Sequence, residues 1–115
     1  MKTLLLTIFL LLTGCSDVVL GDRAGEHKIA QIEVRNPGLI SYDIWLVIRT
    51  EQLSLESEYQ LLTGLDRRED ALTFVAHVGW DSERVIVAIV PNDKLSDQDL
   101  VMTDGTRVSI VTVKN

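Results

Sequence analysis

The sequence predicts a mainly β fold, a small antiparallel β-sandwich or barrel, and three observations carry that expectation. From Lys28 onward, apolar residues recur with a period of two rather than 3.6, the spacing that buries one face of a strand. Turn formers are closely set, at Asn36-Pro37-Gly38, Pro91-Asn92-Asp93 and Asp104-Gly105, so the segments between them are strand-sized. The chain has 115 residues and a single cysteine, which allows one hydrophobic core and no disulfide within the chain.

Taken in order, the segment from Lys28 to Arg35 puts Ala30, Ile32 and Val34 on one face and Gln31, Glu33 and Arg35 on the other. Pro37 presets φ and Gly38 supplies a positive φ, so a turn follows. Tyr42 to Arg49 then places Tyr42, Ile44, Leu46 and Ile48 inward, leaving Asp43, Trp45, Val47 and Arg49 outward. Between Leu53 and Gly64 two readings compete. A short helix near 55–63 fits the capping box Ser57-Glu58-Tyr59-Gln60, the face Leu55, Tyr59 and Leu62, and a C′ glycine at Gly64. A strand through Leu53, Leu55, Tyr59 and Leu61 fits nearly as well.

Further on, Leu72 to Trp80 reads as a strand with Leu72, Phe74, Ala76 and Val78 inward and Thr73, Val75 and His77 outward. Val85 to Val90 is apolar on both faces, as for a central strand covered on each side. Asp104-Gly105 signals a two-residue type I′ hairpin between Leu100–Thr103 and Thr106–Val113, pairing Thr103 with Thr106 and Val101 with Val108.

The N-terminus has a different organisation. Met1-Lys2-Thr3 is followed by the apolar run Leu4 to Leu12 and then by Thr13-Gly14-Cys15, the charged, hydrophobic and small-residue regions of a secretory signal peptide. Nine helical residues reach about 14 Å, half of a ~30 Å hydrocarbon core, so this run is too short to anchor the chain. The ending Leu12-Thr13-Gly14-Cys15 resembles the lipobox of bacterial lipoproteins. The resemblance covers about the first seventeen residues and implies that residues 1–14 are removed and Cys15 is acylated. Ser16 follows the Cys, and Asp comes one place later at Asp17, which favours the outer over the inner membrane by the best-known sorting rule of that class. Two or three acyl chains, each buried CH₂ contributing about 0.8 kcal/mol, make such attachment effectively permanent. Residues 15–27 then form the lipidated N-terminus and tether, with about 20 Å of reach if flexible. Val18-Val19-Leu20 offers an alternative as a short edge strand. Residues 28–115 are the single β-domain.

With 11 Lys+Arg against 17 Asp+Glu the formal charge is −6, and −7 once Lys2 is removed. An acidic surface disfavours nucleic acid and anionic headgroups as electrostatic partners. The two histidines, His27 and His77, stand fifty positions apart with no second ligand at metal spacing, and no nucleophile elbow or phosphate loop occurs. The expectation is a non-enzyme without cofactor or metal. Asp97, Asp99 and Asp104 form a loose acidic set whose spacing is not that of a calcium loop, and a solvated loop is the simpler reading.

Two features suit a protein partner. Trp45 lies on the polar side of its strand between Asp43 and Arg49, and exposed Trp and Arg are enriched where proteins dock. Arg67 and Arg68 sit in the charge run Asp66 to Asp70, a second candidate docking loop. The function these residues point to is that of an envelope lipoprotein whose β-domain binds another protein as an accessory or docking subunit. An inhibitor, immunity or exclusion lipoprotein that blocks a hostile enzyme or phage is the alternative, since a basic target suits an acidic chain.

Overall fold

The structure, a computed structural model, describes residues 15–23 and 28–114; residues 1–14, read above as a signal peptide, and His27 lie outside them. Two four-stranded sheets enclose one core, with one short helix between them in sequence. The first sheet is a meander of β1 (Cys15–Arg23), β2 (Lys28–Asn36), β3 (Tyr42–Thr50) and β4 (Leu55–Leu65), each antiparallel to the next. Helix α1 (Arg68–Phe74) leads into the second sheet, made of β5 (Val75–Asp81), β6 (Arg84–Ile89), β7 (Gln98–Val101) and β8 (Arg107–Thr112) in the order β5-β6-β8-β7.

Period two fills the core as predicted. Ala30, Ile32 and Val34 of β2 and Ile44, Leu46 and Ile48 of β3 meet Val75, Val78, Val85, Val87, Ile89, Val108 and Ile110 of the second sheet in one buried cluster. Each such aliphatic side chain contributes about 1.5–3 kcal/mol by leaving water.

Five local expectations are corrected. The helix near 55–63 is the edge strand β4, paired with β3 through Tyr42↔Leu65, Leu46↔Tyr59 and Ile48↔Ser57. The capping-box Ser57 is buried and donates to Asp104, which fixes it in the strand. Gly64 has φ +75 next to a register irregularity, so it serves a bulge and not a helix terminus.

The helix lies further on, at Arg68–Phe74, where a strand from Leu72 was expected. Glu69 and Asp70 occupy its first turn, where the helix dipole favours acids, and Ala71 and Phe74, three apart, share the buried face. β-branched Val75 then returns the chain to extended backbone. A bulge between Val75 and His77 leaves Ala76 exposed rather than inward, and Val75 is buried in the core rather than outward.

The segment after Cys15 is not a free tether. Cys15–Arg23 forms β1, in register from Cys15↔Asn36 to Arg23↔Ile29, so the edge-strand alternative for Val18-Val19-Leu20 extends over nine residues.

The C-terminal hairpin pairs Val101 with Arg107 and Leu100 with Val108, one position from the expected register. The Gly105 amide donates to the Met102 carbonyl and the Met102 amide to the Thr106 carbonyl, both at 2.9 Å, and Gly105 has φ +93. That is a three-residue loop with glycine in the left-handed position, which Asp104 enforces by accepting from the Thr106 amide.

The second sheet is also not wholly antiparallel, because β6 and β8 run parallel. β8 buries Val108, Ser109 and Ile110, whereas no residue of β7 is buried, so the apolar strand takes the interior and the short polar strand the edge.

Candidate functional site

Alternation along β2 and β3 points Gln31, Glu33 and Arg35, with Trp45, Val47 and Arg49, away from the core. Their register is symmetric about Leu39 and sets Gln31 opposite Val47, Glu33 opposite Trp45 and Arg35 opposite Asp43. β4 adds Glu58 beside Val47 and Gln60 beside Trp45. The result is a compact ionic and aromatic layer on the outer face of the first sheet.

Glu33 is its centre, 3% exposed. Its carboxylate accepts from Arg35 Nη2 at 3.3 Å on one oxygen and from Arg49 Nη2 at 2.9 Å on the other. Arg35 Nη2 also donates to Glu58 at 2.8 Å, and the Arg35 guanidinium lies 4.5 Å from the centroid of the Trp45 ring. Arg49 Nε donates to Gln31 Oε1 at 3.2 Å and its Nη1 to the Leu53 carbonyl at 3.2 Å. A carboxylate this enclosed holds its charge only with cations on both sides, and both are present. Within this layer Val47 is fully buried, outside the core cluster and between its register partners Gln31 and Glu58.

Trp45 is therefore half-buried, neither a core residue nor a bare one: its inner surface lies against the sheet and one face carries Arg35. Two arginines balance two glutamates, so the face is locally neutral in an acidic chain. A rigid indole beside fixed guanidinium groups suits the docking of another protein's surface.

Asp43 departs from the expected set and belongs to the structure instead. It is 8% exposed and accepts from Thr63 Oγ1 at 2.7 Å and from the Gly64 amide at 3.3 Å, pinning the irregular end of β4. Arg67 and Arg68 precede and open α1 near the Tyr42↔Leu65 end of the sheet, whereas Arg49 lies at the other end of β3. Arg67 pairs with Glu69 at 3.2 Å, both largely exposed. The two predicted groups do not converge.

The sequence alone does not single out Glu33, Arg35 and Glu58. Alternation already puts Glu33 and Arg35 on one face; what was missing is a turn centred on Leu39 rather than on Pro37, which sets them across from Trp45 and Arg49.

The three aspartates of the acidic set do not share a site. Asp97 accepts from the Thr112 amide and hydroxyl, and Asp99 from Ser109 Oγ at 2.7 Å. Asp104 joins the two sheets: it accepts from Lys28 Nζ and from Ser57 Oγ, each at 2.9 Å, and from Thr106. Burial alone raises its pKa, but Lys28, the Thr106 amide and hydroxyl, and Ser57 together outweigh burial and lower it from 3.8 to about 2. Among the described residues no three His, Cys, Asp or Glu side chains come together as a metal site.

A concavity of about 230 Å³ lies on the outer side of the second sheet between Arg84, Asp99, Val101 and Arg107. Parallel register places Arg84 directly beside Arg107, and only Arg84 has an ion partner among the described residues, Asp81 at 3.4 Å. The concavity is shallow and open. No protein-family model, curated protein or solved structure matches the chain.

Proposed function

We propose that the protein is a lipid-anchored bacterial envelope lipoprotein, held through Cys15 in the outer rather than the inner membrane, and that its domain acts by binding another protein without catalysing a reaction. The lipobox Leu12-Thr13-Gly14-Cys15 supports the anchor. The observation that carries the binding reading is Trp45 held half-exposed at 4.5 Å from the Arg35 guanidinium, with Arg49 fixed on the same face through Glu33. Such groups lose little conformational freedom when a partner covers them, which favours tight association.

The test is a photo-cross-linking residue in place of exposed Gln60, which neighbours Trp45 in the register, in cells carrying the acylated protein. Capture of one host envelope protein, lost on Trp45→Ala in a variant that stays folded, supports an accessory subunit. Capture only of a foreign enzyme or phage protein moves the reading to inhibition or exclusion. No specific capture from this face, with capture from elsewhere on the domain, removes the face from the proposal. Cys15→Ser tests the anchor separately: the domain leaves the membrane pellet if acylation holds it there.

A further inference from the structure

The turn between β2 and β3 exposes apolar side chains without a structural reason within the fold. Leu39 is 69% and Ile40 86% exposed, Ile40 being the most exposed large hydrophobic side chain among the described residues. The turn is held in an uncommon shape: Gly38 has φ +67, and Leu39, a residue with a Cβ, has φ 60. A left-handed leucine displayed to solvent costs the fold backbone strain and apolar exposure together, and strain of that kind concentrates where a segment meets something else. From Asn36 to Tyr42 there is no charged residue, in a chain of which 24% is charged.

The position of this turn decides what it meets. Cys15 is in register with Asn36, the residue that enters the turn. Paired Cα atoms lie about 4.5–5.5 Å apart, and four residues of chain span at most about 14 Å, so Ile40 lies within about 20 Å of Cys15. The chain enters β1 at Cys15 itself, with no spacer between the residue and the sheet. Acyl chains on Cys15 therefore bring this end of the first sheet to the bilayer surface.

We propose that Leu39 and Ile40 form a membrane-contacting tip that inserts into the interfacial region of the bilayer beside the acylated Cys15, giving the domain a fixed orientation rather than a swinging one. This rests on the lipoprotein reading and adds the site and geometry of contact. The driving force is apolar. The nearby segment from Asp66 to Asp70, which leads into and opens α1, carries two arginines against three acids, so headgroup charge contributes little and the contact is insensitive to salt. The opposite end of the same sheet supplies the control. Leu53 in the β3–β4 turn is 59% exposed with φ 67, but Glu51 and Glu56 flank it, and it lies at the far end from Cys15.

Cys15 is the only cysteine, so in the acylated protein a cysteine introduced elsewhere carries a unique thiol. Ile40→Cys and, separately, Leu53→Cys are labelled with an environment-sensitive fluorophore and reconstituted in phosphatidylethanolamine–phosphatidylglycerol vesicles with and without brominated lipid. The expected result is a blue-shifted emission at position 40, quenched at least twofold by bromolipid and unchanged in 0.5 M salt, with a water-like, unquenched probe at position 53. Acyl chains present on Cys15 by mass spectrometry, with the position 40 probe as wet as the position 53 probe, overturn the tip while leaving the anchor intact. A dry but unquenched probe at position 40 means that protein covers the tip, which also overturns it. Absence of acyl chains on Cys15 overturns both readings. Leu39→Ser with Ile40→Ser keeps the wild-type melting temperature if the turn serves the membrane and not the fold.

Discussion

The outer faces of the two sheets are built from similar strands and end in opposite states. β3 presents Asp43, Trp45, Val47 and Arg49 outward, a polar composition, yet Val47 there is fully buried and Glu33 beside it nearly so. β6 presents Ile86 and Ala88 outward, an apolar composition, yet both remain partly open, with His77 and Val111 exposed next to them. What differs is the length and sign of the neighbours. On the first sheet Arg35, Arg49, Glu33 and Glu58 lie in adjacent strands and pair with one another around the position of the valine. On the second, the long side chains are Arg84 and Arg107, side by side with the same charge, and nothing draws them across the face. Cover on a two-layer protein's outer surface thus comes from charge complementarity across strands, and composition along one strand does not report it.

The largest effect that tests this comparison is on Glu33. Glu33→Ala leaves two partly buried guanidinium groups facing each other without their shared carboxylate, and removing one member of a buried ionic group costs about 3–5 kcal/mol. Urea unfolding is expected to show a large drop in midpoint with little change in slope. A loss below about 1 kcal/mol would mean that the ionic layer is ornamental and that Val47 is protected by other means. Ser109→Ala on the second sheet breaks only the hydrogen bond to Asp99 and is expected to cost about 1 kcal/mol.

Asp104 joins the sheets and is next in size. Its carboxyl titrates at about 2 in the folded chain against 3.8 ordinarily. A depressed carboxyl pKa stabilises the fold above the ordinary value, and the contribution fades as pH falls from about 4 and is gone below about 2. At about 1.4 kcal/mol for each tenfold difference in proton affinity, it amounts to about 2 kcal/mol near neutrality. Asp104→Asn is expected to lower stability by about that much at pH 7 and to flatten the stability profile between pH 4 and pH 2, by calorimetry across that range. A variant whose acid profile still overlays the wild type would place the acid sensitivity in other carboxylates.

The same contrast explains what was legible beforehand. The inward residues of β2, β3 and β6 follow from alternation alone, because a core face needs only apolar residues two apart. Residues whose place depends on a partner strand were not legible: Ser57 sits in β4 rather than in a capping box because Asp104, 47 positions away, accepts its hydroxyl. Phe74 ends a helix whose buried face it shares with Ala71, although its segment alternates like a strand. Trp45 was visible as an outward aromatic, but its cover by Arg35 depends on a β2–β3 register set by the unusual φ of Gly38 and Leu39. The Leu39–Ile40 tip was hidden for the same reason, since the nearness of Cys15 to Asn36 exists only once β1 is a strand.

Trp45→Ala has a smaller effect than either ionic change. The indole is half-buried and gives up one cation–π contact worth about 0.5–1 kcal/mol together with part of its apolar burial, so the total expected is about 1–2 kcal/mol. Iodide should quench Trp45 emission partially in the free protein and hardly at all in a cross-linked complex. A cost of 3–5 kcal/mol, as for a fully enclosed aromatic, would make the residue core and take it out of the proposed binding face.

The smallest effect has the opposite sign and belongs to the open face. Arg107 lies directly beside Arg84 in the parallel β6–β8 register and has no ion partner among the described residues, while Arg84 keeps its exposed pair with Asp81. Like charges facing each other on a sheet destabilise by a few tenths of a kcal/mol, and salt screens them. Arg107→Gln, which keeps the length of the stem, is therefore expected to raise stability by about 0.2–0.5 kcal/mol in low salt and by less in 0.5 M salt. The same substitution logic applied to the closed face, Arg49→Gln, removes a cation from Glu33 and should destabilise. If both substitutions moved stability in the same direction, the contrast between a face held together by opposite charges and one held open by like charges would fail.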